Sequence, residues 1–225
     1  MSTVSPEDLD KVAERALREV ATGMTLGLGT GRAAEAFIRR LGRAVTEGLR
    51  VRGVATSNRS ETLAKEVGIP TLALSETDGL DVAFDGADEV TPDRSLTKGL
   101  GGAQLRERVV ACEAKRFVIL VTEEKLVERL GSRCPIPVEI VPFALPTVER
   151  RLVRLGARPV RRVVDRAPFV TDNGNAILDA HVAPLEDARG FAARVREIPG
   201  VVDVGLFFDL ATLVLVGGSG GVQER

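Results

Sequence analysis

The sequence predicts an α/β fold, in which a Rossmann-like doubly wound and mostly parallel sheet carries a smaller ferredoxin-like α+β domain as an insertion. Three observations predict it. Short apolar runs ending in glycine or polar turns alternate with amphipathic segments through the first 130 or so residues, and strands alternating with helices at that length make a parallel sheet. After Gly131 the rhythm changes, and a β-α-β-β-α-β order follows, which is the split βαβ unit. One more apolar run, ATLVLV at 211–216, is left over and is free to return to the first sheet. The boundaries expected are 1–131 with 208–225 for the larger domain and 132–207 for the inserted one.

The elements follow in order. Residues 6–21 carry Leu9, Val12, Ala13, Ala16, Leu17 and Val20 at helical spacing, with Ser5 as N-cap and Pro6 at the first helical position. A strand at 24–28 runs into Gly29-Thr30-Gly31 and a helix over 32–47. A strand at 51–55 leads through Thr56-Ser57-Asn58 into a helix ending near Val67. Short strands are expected at 71–74 and 80–84, a helix at 105–113, a buried strand at 117–121 (FVILV) and a short helix at 123–130. In the inserted domain, strands are expected at 138–141, 159–164, 169–181 and 201–207, with helices at 145–155 and 185–197. Asp172-Asn173-Gly174-Asn175 is the hairpin signal.

Composition excludes several classes of function. The chain has 225 residues, 28% of them charged, and a formal net charge of −1, so no global field draws it to nucleic acid or an anionic membrane. Aromatic residues make up 4%, with no Trp or Tyr, which removes the stacking platforms that single-stranded nucleic acid needs. The acidic, amphipathic start does not resemble a signal peptide, and no apolar run reaches the roughly 20 residues of a membrane span; a soluble, cytoplasmic protein is expected. Cys112 and Cys134 are expected to be free thiols. His181 is the single histidine, so no metal site is expected.

Three constellations carry chemistry. Gly27-Leu28-Gly29-Thr30-Gly31-Arg32 lies between a strand and a helix, where backbone N–H groups and the helix dipole favour an anion. Its third glycine comes too early for a dinucleotide fingerprint, and no Gly-Lys-Ser/Thr makes it a P-loop. A small phosphate fits, against the plainer reading of a tight turn. Thr56 to Ser60 offers hydroxyls to a sugar or phosphate, or simply an N-cap at Ser57 or Asn58. The third runs from Asp81 to Glu107. Asp85, Asp88 and Glu89 leave a strand end, Lys98 precedes Gly99-Leu100-Gly101-Gly102, and Glu107 opens a helix. Paired carboxylates can push their pKa values apart, a cation can hold a developing oxyanion, and a glutamate can move a proton. Taken singly, each is a turn, a cap or a solvated charge; taken together, they describe proton transfer on a small anionic substrate.

The motifs GLGTG, TSN-R-S, FDGADE, KGLGGAQLRE and PIPVEIVPFA, followed by TDNGNAILD and IPGVVDVGLF, occur in an order and spacing that resemble ribose-5-phosphate isomerase, type A, over nearly the whole chain. The resemblance implies a metal-free and cofactor-free aldose–ketose isomerase of the pentose phosphate pathway, interconverting D-ribose 5-phosphate and D-ribulose 5-phosphate through a cis-enediolate. It implies Glu107 as the base between C1 and C2, Asp85 at ring opening, and Lys98 with Asp88 on the developing charge. Backbone N–H groups of Gly99, Gly101 and Gly102 would serve the oxyanion, and Lys125 would hold the phosphate beside Gly29, Thr30, Gly31 and Ser57. It further implies a homodimer or homotetramer, with the inserted domain in an oligomerisation role.

Two departures stand out. The family's T-G-S-T is Thr30-Gly31-Arg32-Ala33 here, so two hydroxyls are missing and Arg32 is the candidate replacement. The lysine usual in the first helix is matched by Leu9, leaving Lys11 as a shifted candidate. The readings set against the isomerase are a sugar-phosphate-binding sensor domain of the same fold without catalysis, and a related transferase or deaminase. Retention of Glu107 argues against the sensor, and a deaminase would need a histidine in its site, whereas His181 lies in the smaller domain.

Overall fold

Five parallel strands carry the first of two units, made of Met1–Ala87, Arg106–Lys125 and Asp209–Arg225. The computed structural model describes residues 5–225. The chain runs α1 (Pro6–Leu17), β1 (Thr25–Leu28), α2 (Arg32–Thr46), β2 (Arg52–Ala55), α3 (Asn58–Glu66) and β3 (Val82–Gly86). After two short strands that belong to the second unit, β4 (Glu89–Val90) and β5 (Leu96–Thr97), it continues through α4 (Gln104–Glu113) and β6 (Phe117–Thr122). The second unit supplies β7 (Ile136–Ile140), α5 (Leu145–Arg154), β8 (Arg158–Arg161), β9 (Val163–Val164), β10 (Ala167–Pro168), β11 (Ala176–His181), α6 (Ala188–Arg196), β12 (Val201–Val204) and β13 (Leu206–Phe207). The chain then ends in β14 (Leu213–Gly218) and β15 (Gly221–Glu224).

The large sheet has the order β15-β14-β6-β3-β1-β2, parallel except for β15 at its edge. The leftover apolar run therefore does return, as β14 beside β6. Among the parallel strands the order is that of a flavodoxin-like sheet, with its reversal between β1 and β3. Leu26 and Leu28 of β1 join Phe37, Ile38 and Leu41 of α2 and Val12, Ala13 and Ala16 of α1 in one buried cluster. Phe37 stacks on Phe84 at 4.1 Å between ring centroids. Alternation along β1 turns Gly27 to the opposite face, where a Cβ would stand 2.6 Å from Val110 of α4. Helices thus cover both faces, as an all-parallel sheet requires.

The second unit is Asp88–Leu105 with Leu126–Phe208. Its four-stranded sheet has the order β12-β7-β11-β8, all antiparallel, which is the ferredoxin-like arrangement. Ile136, Val138 and Ile140 face Val148 and Leu152 of α5 and Phe191 and Val195 of α6. A separate three-stranded sheet pairs β4 and β13 on either side of β5. This is why segment 88–105, counted with the larger domain from sequence, clusters with the smaller unit.

Several local expectations change. The strand at 71–74 is reduced to one parallel bridge, Thr71 to Gly53, because the Glu76 carboxylate accepts the Ala73 N–H at 2.6 Å and winds Leu74–Glu76 into a 3₁₀ turn. The helix at 123–130 stops after one 3₁₀ turn, Glu123–Lys125; beyond it the Val127 N–H donates to Val90 O at 2.9 Å, which draws the chain out straight. The tight hairpin of the second unit lies at Asp165-Arg166, both with positive φ, between β9 and β10, while 171–175 forms a side-chain-organised turn. Thr171, Asn173 and Asn175 there all donate to Oε1 of the buried Glu139. Cys112 and Cys134 are free thiols, and no helix among the described residues is long and apolar enough to cross a membrane.

At the foot of the large sheet, Asp81 accepts from Lys115 Nζ and from the Thr25 N–H, each at 2.9 Å. The Lys115 bond, then the backbone bond, hold this carboxyl below the usual carboxylate range. A carboxyl lowered in the folded state stabilises at pH above its unfolded value, about 3.9, and loses that contribution as pH falls through the folded value. Asp81→Asn should therefore lower the Tm modestly at pH 7, and the gap from the parent protein should be smaller at a pH below about 3.9. Thermal melts followed by circular dichroism at both pH values test this; a gap independent of pH would refute it.

Candidate active site

The reversal between β1 and β3 splays the chain at the C-terminal edge of the large sheet, where such folds bind ligands. Asp85, on β3, is 1% exposed. Its Oδ1 accepts the Thr30 N–H at 3.0 Å and its own neighbour's N–H, Gly86, at 2.7 Å. Across from it the Gly29 N–H donates to Phe84 O at 2.9 Å. A Cβ on Gly29 would collide with the Asp85 carboxyl, so glycine is required for the approach. Gly31, with φ 104°, then starts α2, whose first N–H groups have no partner within the helix and favour an anion.

Thr30 Oγ1 lies at the centre of a hydroxyl cluster, 2.7 Å from Thr56 Oγ1, 2.8 Å from Ser57 Oγ and 3.2 Å from Ser60 Oγ. Ser57 caps α3 by accepting the Ser60 N–H at 3.1 Å, and Ser60 Oγ donates to Gly29 O at 2.6 Å. The capping reading and the clustering of hydroxyls at the phosphate-type loop hold together. Ser57 alone was singled out of its stretch; Thr56 and Ser60 complete the cluster, and the Ser/Thr density of 56–60 was the available signal. Arg32 is exposed on the first turn of α2, beside the half-buried Ala33, and has no ion-pair partner among the described residues. Lys11 is paired with Glu7 at 3.0 Å and Asp8 at 3.6 Å.

Glu107 is 3% exposed on the first turn of α4. Two contacts fix that turn at the same sheet edge. Arg106 Nη1 donates to Asn58 Oδ1 at 3.2 Å, at the start of α3. One turn further on, Val110 packs on Gly27 of β1. Lys125 is half-buried in the 3₁₀ turn that follows β6, beside β3 in the sheet. Gly29, Thr30, Gly31, Arg32, Ala33, Ser57, Asp85, Glu107 and Lys125 thus share one edge of the first unit.

Asp88 and Lys98 belong to the second unit with Gly99, Gly101 and Gly102. Asp88 Oδ2 accepts the Leu100 N–H at 3.0 Å, and the Asp88 N–H donates to Thr97 O at 2.8 Å. Lys98 is 2% exposed, and its Nζ lies 5.7 Å from the centroid of Phe207. Gly99 and Gly102 have φ of 104° and 81°, conformations that make glycine the natural residue there. The third carboxylate of the acidic run has another task. Glu89 is fully buried, and its two oxygens accept from Thr97 Oγ1 and from the N–H groups of Gly131, Arg133 and Cys134. Among the described residues no group of His, Cys, Asp or Glu is arranged to hold a metal ion.

Comparison with known proteins matches the chain to one family. The family model of ribose 5-phosphate isomerase A (phosphoriboisomerase A) matches residues 52–221. A ribose-5-phosphate isomerase A of Roseiflexus castenholzii is 48% identical over 95% of this chain and 93% of its own, and one of Gluconobacter oxydans is 45% identical over 98% and 99%. The structure of ribose 5-phosphate isomerase A from Methanocaldococcus jannaschii superposes with a TM-score of 0.93 at 44% identity, covering 98% and 99% of the two chains. A D-ribose-5-phosphate isomerase in complex with phospho-erythronic acid does so with 0.95 at 35% identity, covering 99% of each. Matched by the family model over residues 52–221 and by relatives 45–48% identical over 95–98% of its length, the chain belongs to the ribose 5-phosphate isomerase A family.

Proposed function

We propose that the chain interconverts D-ribose 5-phosphate and D-ribulose 5-phosphate in the cytoplasm, as a step of the pentose phosphate pathway, by moving a proton between C1 and C2 through a cis-enediolate. The observation that carries the mechanism is Glu107, a carboxylate 3% exposed on a helical first turn at the ligand-binding edge of a flavodoxin-like sheet. A base in that position takes the C2 proton of the aldose and returns it to C1. Asp85, buried and held by two backbone N–H groups, has the fixed orientation needed to exchange a proton with the furanose during ring opening. Lys98 supplies positive charge to the enediolate, Asp88 shuttles the hydroxyl proton, and the Gly99 and Gly101 N–H groups serve the developing oxyanion; the Leu100 N–H is held by Asp88 and, against expectation, the Gly102 N–H donates to Gly99 O at 2.9 Å. A relative has been solved with phospho-erythronic acid, whose planar carboxylate beside a carbinol has the shape and charge of an enediolate. A sensor would have no use for a buried base at 107.

The phosphate is assigned to the Gly29–Ala33 turn, the start of α2, the Thr30–Ser57 hydroxyls and Lys125. Arg32 stands in for the hydroxyls its loop lacks: it is exposed, unpaired among the described residues, and at a helix N-terminus. The second unit is assigned the contacts of a homodimer or homotetramer, supported by the exposed apolar side chains Val141, Phe143 and Val170, of which Phe143 is 96% exposed.

Three outcomes are expected. Glu107→Gln should lower kcat by about 10²–10⁴, the usual share of general acid–base catalysis, with KM nearly unchanged; turnover near that of the parent protein in a ribulose 5-phosphate assay would remove Glu107 as base. Arg32→Ala should raise KM about tenfold, in line with the loss of one charge-assisted contact, and leave kcat within about twofold; an unchanged KM would return Arg32 to the surface. Phe143→Asp should reduce the mass seen by light scattering, whereas an unaltered mass would place the subunit contact elsewhere.

A further inference from the structure

Arg162 stands between β8 and β9, and no sequence pattern distinguishes it from the chain's other arginines. It is the residue on which the glycine loop hangs. Its Nε donates to Asp179 Oδ2 at 2.9 Å and its Nη2 to Asp179 Oδ1, a fork-to-fork pair. The remaining Nη1 donates to two consecutive backbone carbonyls, Gly99 O at 2.7 Å and Leu100 O at 3.1 Å. The guanidinium lies 5.8 Å from the centroid of Phe169, and the Phe169 N–H donates to Arg162 O at 3.0 Å. The Phe169 ring in turn occupies the space a Cβ on Gly102 would need. Asp179 is seated in β11, paired with Val160 of β8, so the clamp stands on a sheet rather than on another loop.

A trans peptide points its C=O and N–H in opposite directions. The Gly99–Leu100 peptide is gripped at both ends: its carbonyl by Arg162, its N–H by Asp88 Oδ2 at 3.0 Å. The next peptide also turns its carbonyl to Arg162, which sends the Gly101 N–H out on the same side as the Leu100 N–H. Successive N–H groups on one side form an anion-binding concavity. A cation on the carbonyl side polarises both peptides and makes their N–H groups better donors. A partly buried ion pair adds little net stability by itself, so the clamp's value lies in orientation.

We propose that Arg162, held by Asp179, is a positioning residue for the isomerisation: through the Gly99–Leu100 and Leu100–Gly101 peptides it holds the Asp88 carboxylate and aims the Gly101 N–H at the oxyanion. This rests on the reading of Asp88 and the 98–102 loop as part of the active site. It predicts that Arg162→Met lowers kcat on the order of 10²-fold, the loss seen when one oxyanion donor is removed, with KM within about threefold. Affinity for phospho-erythronic acid should fall by a comparable factor, while competitive inhibition by inorganic phosphate stays the same. Arg162→Lys keeps the charge but cannot span the carboxylate and both carbonyls, and should recover less than about a tenth of the lost rate. Asp179→Asn, which leaves Arg162 in place, should give an intermediate kcat and serves if the Arg162 variants do not fold.

Wild-type kcat in Arg162→Met or in Asp179→Asn would overturn the proposal. So would parallel loss of kcat, phosphate inhibition and Tm, the pattern of a merely structural residue. Lys98→Met separates the two levels: if it too keeps full activity, the loop is outside the site and the underlying reading fails. If it loses activity while the Arg162 variants do not, only the role of Arg162 is refuted.

Discussion

The approach of Asp85 to the β1–α2 turn is the constraint on which the candidate site depends. A carboxylate 1% exposed costs several kcal/mol unless hydrogen bonds replace its water. At Oδ1 backbone N–H groups do so, from Thr30 and Gly86, and the first is within reach only because residue 29 has no side chain. The position of Thr30 in turn sets its hydroxyl among Thr56, Ser57 and Ser60, and that cluster ties the start of α3 to the end of β1 through Ser60 and Gly29 O. Asn58, one residue into α3, then meets Arg106, next to Glu107. One missing methyl group thus propagates through hydrogen bonds to the turn that carries Glu107, the proposed base.

Burial differs among the candidate site residues. Asp85, Lys98 and Glu107 are all at most 3% exposed, Asp88 and Lys125 are half-buried, and Arg32 is exposed. Electrostatic stabilisation of a developing charge is worth most where water is excluded and the dipoles are already set. Gripping a phosphate is less demanding, because its charge does not change during the reaction and a solvated guanidinium still binds it. On the proposed assignment, a substitution in the phosphate turn, such as Arg32-Ala33 for two hydroxyl residues, is therefore tolerable where a change to Asp85, Lys98 or Glu107 would not be.

Much of this was legible in the sequence, and what was not has physical reasons. The parallel sheet, its return strand and the β-α-β-β-α-β unit were readable because their strands run four residues or more and alternate with helices of nine or more. Strands β4 and β5, two residues each, are too short to show a period, and with them the affiliation of segment 88–105 was hidden. The acidic run was legible as chemistry but not in its division of labour. Glu89 is set apart from Asp85 and Asp88 mainly by partners 42 to 45 positions away, the N–H groups of Gly131, Arg133 and Cys134. Arg162 was invisible for the same reason: what distinguishes it is a bond 63 residues distant, to Gly99 O.

The long-range partners also explain why a loop so rich in glycine can be precise. Four residues, Gly99 to Gly102, include three glycines, and glycine loses more conformational freedom on ordering than any other residue. Left to itself such a segment would spend most of its time out of register with a reacting oxygen, and each ångström of misplacement is costly to rate. Glycine is nonetheless needed, since φ of 104° and 81° and the closeness of Gln104 and Phe169 leave no room for side chains. The entropy is offset from outside: the Lys98 N–H is anchored on Gly205 O at 2.9 Å, the Leu100 N–H on Asp88, and two carbonyls on a guanidinium itself locked to a strand. Flexibility in the sequence and rigidity in the fold are compatible because the residues that confer the conformation are not the ones that hold it.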